Sequence, residues 1–343
     1  MSAILAKLKI SEKNKKVNAG VAWKGQKTAF GIRALLPTLS IAFCLLAHHA
    51  IPMNGNFIVK PMPYLTYVLT ACLIISGLFA VLSYLSPQWG KRYTYKAPFL
   101  AVLFLLLNLY NLATLKYDLI LSLFFPYPDK ILAVYWTDGA FLLKCLFHSF
   151  RLLITGVFFG AVAGFLTGIA IGWSKRASYW ISPLIRGIGP IPSTAWIPLA
   201  LVVFPTTFVA SAFLIALAVW FPMTVLTSSG IQNVEKAYFE VASTLGASKK
   251  RQVFKVAIPG AMPSMFIGFF NGTVTSFLTL MSAEMIGVKF GIGWYINWKR
   301  EVMAYANVYA GLILIAVLCS FLISVLFKVR ARVLNWQKGL IRW

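Results

Sequence analysis

The chain has 343 residues, 59% of them hydrophobic, a mean hydropathy of +0.79 and only eight acidic side chains. No soluble domain could bury so much apolar surface, so the composition excludes one and requires an integral membrane protein. The net charge of +24 sits in short loops and tails rather than on one folded face, which argues against a nucleic-acid partner.

Apolar runs long enough to cross a bilayer, at about 20 residues each, lie at 33–51, 64–85, 98–116, 146–173, 188–204, 206–229, 261–283 and 305–327. The pattern predicts an all-α polytopic membrane protein with about eight transmembrane helices. The first run comes after a basic stretch too long for the head of a secretory signal, and no cleavage site is evident, so it reads as a retained helix. The 188–204 run is short and rich in proline, which makes it the weakest of the series. With the N-terminus placed in the cytoplasm, 24 of the 32 lysines and arginines fall on that side. That bias is the positive-inside rule and puts both termini in the cytoplasm.

Within the 146–173 run, Gly156, Gly160, Gly164, Gly168 and Gly172 recur every fourth residue and share one helical stripe. Missing side chains there let a second helix approach closely. Packing within the chain and dimerisation both use such a stripe; a multi-helix bundle, with many internal neighbours, favours the first. The 189–205 stretch carries Pro190, Pro192, Pro198 and Pro205, each removing a backbone donor. Broken helices at membrane depth are tolerated where protein buries them or a watery cavity receives them. Ser193, Thr194 and Trp196 are therefore candidates for a solute path, with a kink that serves packing alone as the alternative.

The 261–283 run has a polar face of Asn271, Thr273, Thr275, Ser276 and Ser282, although hydroxyls in such helices mostly bond their own backbone. Glu284, at the end of that run, is the one acid in or bordering the apolar runs. It is expected either to brace an outer gate, against Arg151 or Lys289, or to sit at the interface. Cys44, Cys72, Cys145 and Cys319 are scattered without metal spacing, and no disulfide is expected. His48, His49 and His148 form no catalytic or metal set. No phosphate-binding G-x-x-x-x-G-K-[ST] occurs, so any ATP hydrolysis belongs to another subunit.

The stretch from Tyr238 to Pro259 is polar and basic between two apolar runs. Glu235 to Leu245 has helical spacing, with Val241 and Leu245 one turn apart. Gly246 suits the left-handed residue that ends a helix, and Ser248 the cap that starts the next. Lys249, Lys250, Arg251 and Lys255 hold the next segment at a membrane surface. Glu240, Val241, Ala242, Leu245, Gly246, Ala247 and, further on, Val256, Ile258 and Pro259 then stand at fixed spacing. This resembles the EAA loop of ABC-importer permeases, with Val241 and the closing Val-Ala-Ile-Pro as mild departures.

Further segments are similar to the nitrate, sulfonate, taurine and bicarbonate branch of those permeases: FFPYPDKIL (124–132), HSFRLL (148–153), GPIPSTAWIPL (189–199) and SAEMIGVKFGIGWYI (282–296). The resemblance implies a six-helix type I importer core over residues 98–343, with a cytoplasmic coupling loop at 235–260. Residues 1–97 would then be a basic tail and two additional helices. It also implies a bacterial inner-membrane permease subunit that is not itself an enzyme and binds no cofactor or metal. A second copy would join it, most simply as a homodimer, with two cytoplasmic ABC ATPases carrying ATP and Mg and an external solute-binding protein. The solute would be small and anionic. A vitamin-precursor importer and a stand-alone carrier or channel are the alternatives; the carrier would need intramembrane ion-coupling residues, of which Glu284 is the single candidate.

Overall fold

A computed structural model describes residues 33–52, 63–85, 87–117 and 119–335. The basic N-terminal tail, residues 53–62 and the last eight residues lie outside that description. The described chain is helical and divides into two compact units, residues 1–136 and 137–343. Among the described residues, seven helices are long and apolar enough to cross a membrane.

The first unit holds α1 (Arg33–Ala50), α2 (Tyr64–Leu85), α3 (Pro87–Asn111, continued by a π turn at Leu112–Lys116) and α4 (Pro128–Thr137). Its core joins Ile41 and Cys44 of α1 to Leu65 and Leu69 of α2, with Phe104 of α3 and Leu132 of α4 against them. The helices α1 and α2 thus share one core with α3 and α4, and α3 runs unbroken through residue 97. Asp129 of α4 is 3% exposed, and its Oδ1 accepts a 2.7 Å bond from the Leu65 N–H in the first turn of α2. Burial pushes this carboxyl upward in pKa, and the bond from Leu65 pulls it back.

The second unit is built on α5 (Gly139–Trp173), α8 (Thr207–Gln232), α11 (Ile258–Gly287) and α13 (Tyr305–Val333). At 1.5 Å per residue, α5 is roughly 50 Å long and exceeds the hydrocarbon layer. Its glycine stripe faces α8 one for one. A Cβ added at Gly156 would stand 2.5 Å from Ile215, at Gly164 2.7 Å from Met223, at Gly168 2.5 Å from Thr227 and at Gly172 2.9 Å from Ile231. Gly160 meets Ala216 and Val219 in the same way. The stripe is therefore filled from within the chain by α8, whose contacting residues also step by four.

Residue numbers rise together along this contact, so α5 and α8 run parallel. A parallel pair in one layer requires the intervening segment to return across it. That return is made in pieces: α6 (Lys175–Ile188), a 3-10 turn (Ser193–Trp196) and α7 (Ile197–Val203). The 188–204 apolar run of the sequence is thus not one helix, because Pro190 and Pro192 withhold the N–H groups that would continue α6. Between α8 and α11 the glycines work in the opposite sense: Gly230 meets Ala261 and Ser264, while Gly272 meets Val219, so these two are antiparallel.

The short helices mark the two ends of this bundle. At one end α9 (Lys236–Thr244) and α10 (Lys249–Gln252) connect α8 to α11, and Phe239 of α9 lies 5.8 Å from the Trp173 ring at the end of α5. At the other, α12 (Ile292–Glu301) connects α11 to α13 and packs beside the start of α5.

Candidate functional site

Three places in the second unit carry polar chemistry: the α9–α10 elbow, a hydroxyl-lined cavity at mid-bundle, and a buried carboxylate under α12.

The elbow is short and internally braced. Gly246 has φ of +75°, the left-handed conformation expected of it. Its N–H donates to the Ser243 carbonyl, and the Ala247 N–H donates to the Ala242 carbonyl, both at 2.9 Å. This pair is the Schellman closure of α9. Ser248 then caps α10, accepting from the Arg251 N–H at 3.4 Å. The Gln252 amide reaches back to Ser243 Oγ at 2.9 Å and to the Ala247 carbonyl at 3.1 Å, tying α10 onto α9. Nothing lies within 4 Å of where a Gly246 Cβ would be, so the residue is set by backbone conformation and not by crowding. No residue of α9 or α10 is buried. Glu240 is exposed, as are Tyr238, Val241, Leu245 and, beyond α10, Phe254; Leu245 is 80% exposed. Ala242, Ala247 and Pro259 are half-buried, Pro259 opening the first turn of α11. Exposed apolar side chains on a rigid, basic turn form a surface suited to a partner.

At mid-bundle, a cavity of about 180 Å³ lies between the 188–193 turn, residues 217–222 of α8 and Thr275 of α11. Ser193 lines it and is tied across to α11 by a 2.7 Å bond with Thr279 Oγ1. The α11 hydroxyls otherwise bond their own helix: Thr273 to Phe269, Thr275 to Asn271, Ser276 to Thr273 and Ser282 to Leu278. Of the residues expected along a path, Ser193 and Thr275 share this cavity, and Asn271 is exposed one turn from Thr275. Thr194 is half-buried in the next turn. Trp196 is turned away, its ring against Ile197, Ala200, Ala210 and Leu214, and Ser282 does not reach the cavity.

A further network had no signal in the sequence. Trp220 Nε1 donates to Thr167 Oγ1 at 3.1 Å, and Thr167 meets Thr224 Oγ1 at 2.7 Å. This fixes the Trp220 ring as a cavity wall. The residues lie more than fifty positions apart, and nothing in their spacing announces the contact.

Glu284 is fully buried, and the expected pairing is not formed. The Arg151 guanidinium lies over the Phe208 ring at 5.3 Å, Lys289 is exposed, and neither bridges to Glu284. Instead Glu284 Oε2 accepts a 2.8 Å bond from the Gly293 N–H in the first turn of α12. A carboxylate is a better partner for those unpaired N–H groups, at the positive end of the helix dipole, than a lysine is for a carboxylate half in water. Ser149 of α5 supplies the neighbouring bond, its Oγ accepting from the Ile292 N–H at 2.8 Å. A Cβ at Gly291, whose φ is +152°, would fall 2.5 Å from the Glu284 carboxyl, and one at Gly293 2.9 Å from the Glu284 Cβ. The two glycines are the space this carboxylate occupies.

The far side of α12 is held by a second node. Asp138 Oδ2 accepts from Tyr295 Oη at 3.0 Å and Asn307 Nδ2 at 2.8 Å, and pairs with Lys299 Nζ at 3.1 Å. Burial pushes the Tyr295 phenol far above its ordinary pKa, so it stays a donor. This is the one ion pair among the described residues. Phe141, Trp294 and Trp298 surround it. None of the described residues forms a group of histidine, cysteine, aspartate or glutamate able to hold a metal.

A multi-pass helical bundle with a proline-broken crossing, an exposed elbow at one end and a clamped helix at the other defines a membrane transport subunit. Residues 156–335 match the family described as binding-protein-dependent transport system inner membrane component, and the chain belongs to that family. Among its relatives, a protein named as an aliphatic sulfonates transport permease of Bacillus subtilis (strain 168) is 31% identical over 184 residues, covering 54% of this chain and 67% of its own. The taurine transport system permease of Escherichia coli (strain K12) is 29% identical over 235 residues, 66% of this chain and 85% of its own. The nitrate import permease of Leptolyngbya laminosa is 26% identical over 250 residues, 67% and 87% respectively. The family is one of bacterial inner-membrane permease subunits, and membership implies ATPase subunits and a substrate-binding protein.

Proposed function

We propose that this chain is the translocation subunit of an ATP-driven importer for a small anionic solute of the sulfonate, taurine, nitrate or bicarbonate kind. In this reading two copies form the pore. Each docks a cytoplasmic ATPase carrying ATP and Mg on the α9–α10 elbow through Glu240, Val241, Ala242, Leu245, Gly246 and Ala247, with Pro259 at the hinge into α11. An external solute-binding protein delivers the solute.

The observation that carries the reading is the elbow: a small, hydrogen-bonded body that exposes apolar side chains between α8 and α11. It can receive a push and pass it to two core helices as a unit. Its end of the bundle also carries Lys175, Arg176, Lys249, Lys250, Arg251, Lys255, Arg330 and Arg332, which supports a cytoplasmic placement with both termini on that side. The six-helix core from residue 98, with two helices added before it, is part of the same proposal.

The test is ATPase co-purification with the wild-type chain and with Glu240→Lys plus Gly246→Arg. A stable complex that the double change weakens, without unfolding the membrane part, is expected. Solute movement by reconstituted protein with no ATPase bound to either form would refute it.

A further inference from the structure

The cavity beside Ser193 narrows the solute. None of its lining residues carries a formal charge, and its polar side chains are each bonded within the protein. The Thr275 hydroxyl donates to the Asn271 carbonyl. Ser193 and Thr279 share a 2.7 Å hydroxyl–hydroxyl bond, and Thr279 also reaches the Thr275 carbonyl at 3.2 Å. The Trp220 indole N–H is taken by Thr167. Around the Ser193 and Thr275 hydroxyls the walls are apolar or aromatic, with Ile191, Leu217, Trp220 and Phe221.

A compact inorganic anion in such a place finds no counter-charge, and leaving water for it is strongly unfavourable. An apolar segment gains from the same walls in proportion to the area it buries. At about 30 Å³ for each water displaced, the cavity has room for a short alkyl chain or one small ring.

Resting on the permease reading above, we infer that this cavity receives the alkyl or aryl body of an organic anion, with the charged head left in the wet part of the path. The substrate class is therefore an organic sulfonate or a similar organic acid, not nitrate or bicarbonate. The specificity lies with Phe221, Leu217 and Ile191.

The experiment measures competition by ethane-, butane- and hexanesulfonate, nitrate and bicarbonate against radiolabelled butanesulfonate on the purified full-length chain in lipid nanodiscs, with empty nanodiscs subtracted. Affinity is expected to rise about fourfold per methylene, with nitrate and bicarbonate failing to compete. Ile191→Trp fills the cavity from its half-exposed rim and is expected to abolish the length dependence. Val202→Ala, on the exposed face of α7 outside the cavity lining, is expected to keep it. Competition by nitrate equal to that by butanesulfonate, a length dependence that survives Ile191→Trp, or no saturable binding at all overturns the inference. ATPase co-purification with the same Ile191→Trp protein reads the permease proposal separately, so the two can fail independently.

Discussion

Replacing Gly246 by alanine tests whether the elbow is held by backbone conformation. At φ of +75° an L residue carries about 1–2 kcal/mol of steric strain, and with nothing within 4 Å of the new Cβ no packing change offsets or enlarges it. Asparagine tolerates the same conformation better than alanine does. The effect can be read locally, because the Ala247 N–H is protected by the Ala242 carbonyl at 2.9 Å. Hydrogen exchange at the Ala247 amide should speed up about 5- to 30-fold in Gly246→Ala, since each 1.4 kcal/mol is a factor of ten. Gly246→Asn should fall between alanine and wild type. Amides of α8 and α11 should be unchanged in both, and ATP-dependent uptake should fall in the same rank order. Ala247 exchange within twofold of wild type in Gly246→Ala, or equal exchange in the alanine and asparagine forms, would refute the reasoning.

Gly164→Ala should destabilise the detergent-solubilised chain by about 1–3 kcal/mol, as overpacking does, because the Met223 side chain and the Trp220 carbonyl stand within 3 Å of the added carbon. Gly187→Ala, with open space around it, should be neutral or stabilise by up to about 1 kcal/mol; thermal unfolding of the pair separates crowding from helix propensity. Glu284→Gln keeps an acceptor for the Gly293 N–H, whereas Glu284→Ala leaves that buried donor unpaired and opens a void. The alanine form should unfold at clearly lower temperature than the glutamine form, by about 2–4 kcal/mol, and equal melting would sink the helix-capping role. Tyr295→Phe removes one of three donors to Asp138 and should cost about 1 kcal/mol, while Lys299→Ala should cost less because its ion pair is partly solvated. Chemical denaturation of both variants gives the order.

What could be read from the chain and what could not divide along the range of the interactions. Gly246, Ser248 and the glycine stripe act through neighbours one to four residues away or through a helical period, and those signals are local. The same holds for the hydrophobic runs, seven of which appear as long helices. The proline-rich run was legible as a weak helix but not as a segmented return stroke, because its role depends on α5 and α8 lying parallel. That relation exists only once Gly156 meets Ile215 and Gly172 meets Ile231. Glu284 was conspicuous as an acid in an apolar stretch, and opposite charge suggested Arg151 or Lys289. The bond it makes goes to a backbone N–H nine residues on, and a backbone donor leaves no mark in composition. The clue was beside it: Gly291 and Gly293 are the bare positions a buried carboxylate needs. Asp138, Tyr295 and Asn307 come together over 157 and 169 positions, a distance at which spacing carries no information.

The parallel pairing also bears on how a push at the elbow would travel. Because α5 presses its bare stripe against α8 through Ile215, Val219, Met223, Thr227 and Ile231, the two cannot slide by less than a full turn without driving side chains into backbone. The α8–α11 contact is closed in the same manner at Gly230, Gly268 and Gly272, so these three helices form one stiff body. The crossing segments, α6, the 188–196 turn and α7, run in short pieces between prolines and are locked at fewer points, Gly189 against Phe221 and Leu201 against Gly287. Relative motion within this unit is therefore expected to concentrate in the broken crossing, where Ser193 and the cavity sit. A cysteine cross-link between positions 193 and 279, whose hydroxyls already touch, should abolish ATP-dependent uptake while leaving ATPase assembly intact. A cross-link between positions 167 and 224, whose hydroxyls also touch across α5 and α8 inside the stiff body, should leave uptake unchanged. The reverse pattern would place the moving joint between α5 and α8 and overturn the argument.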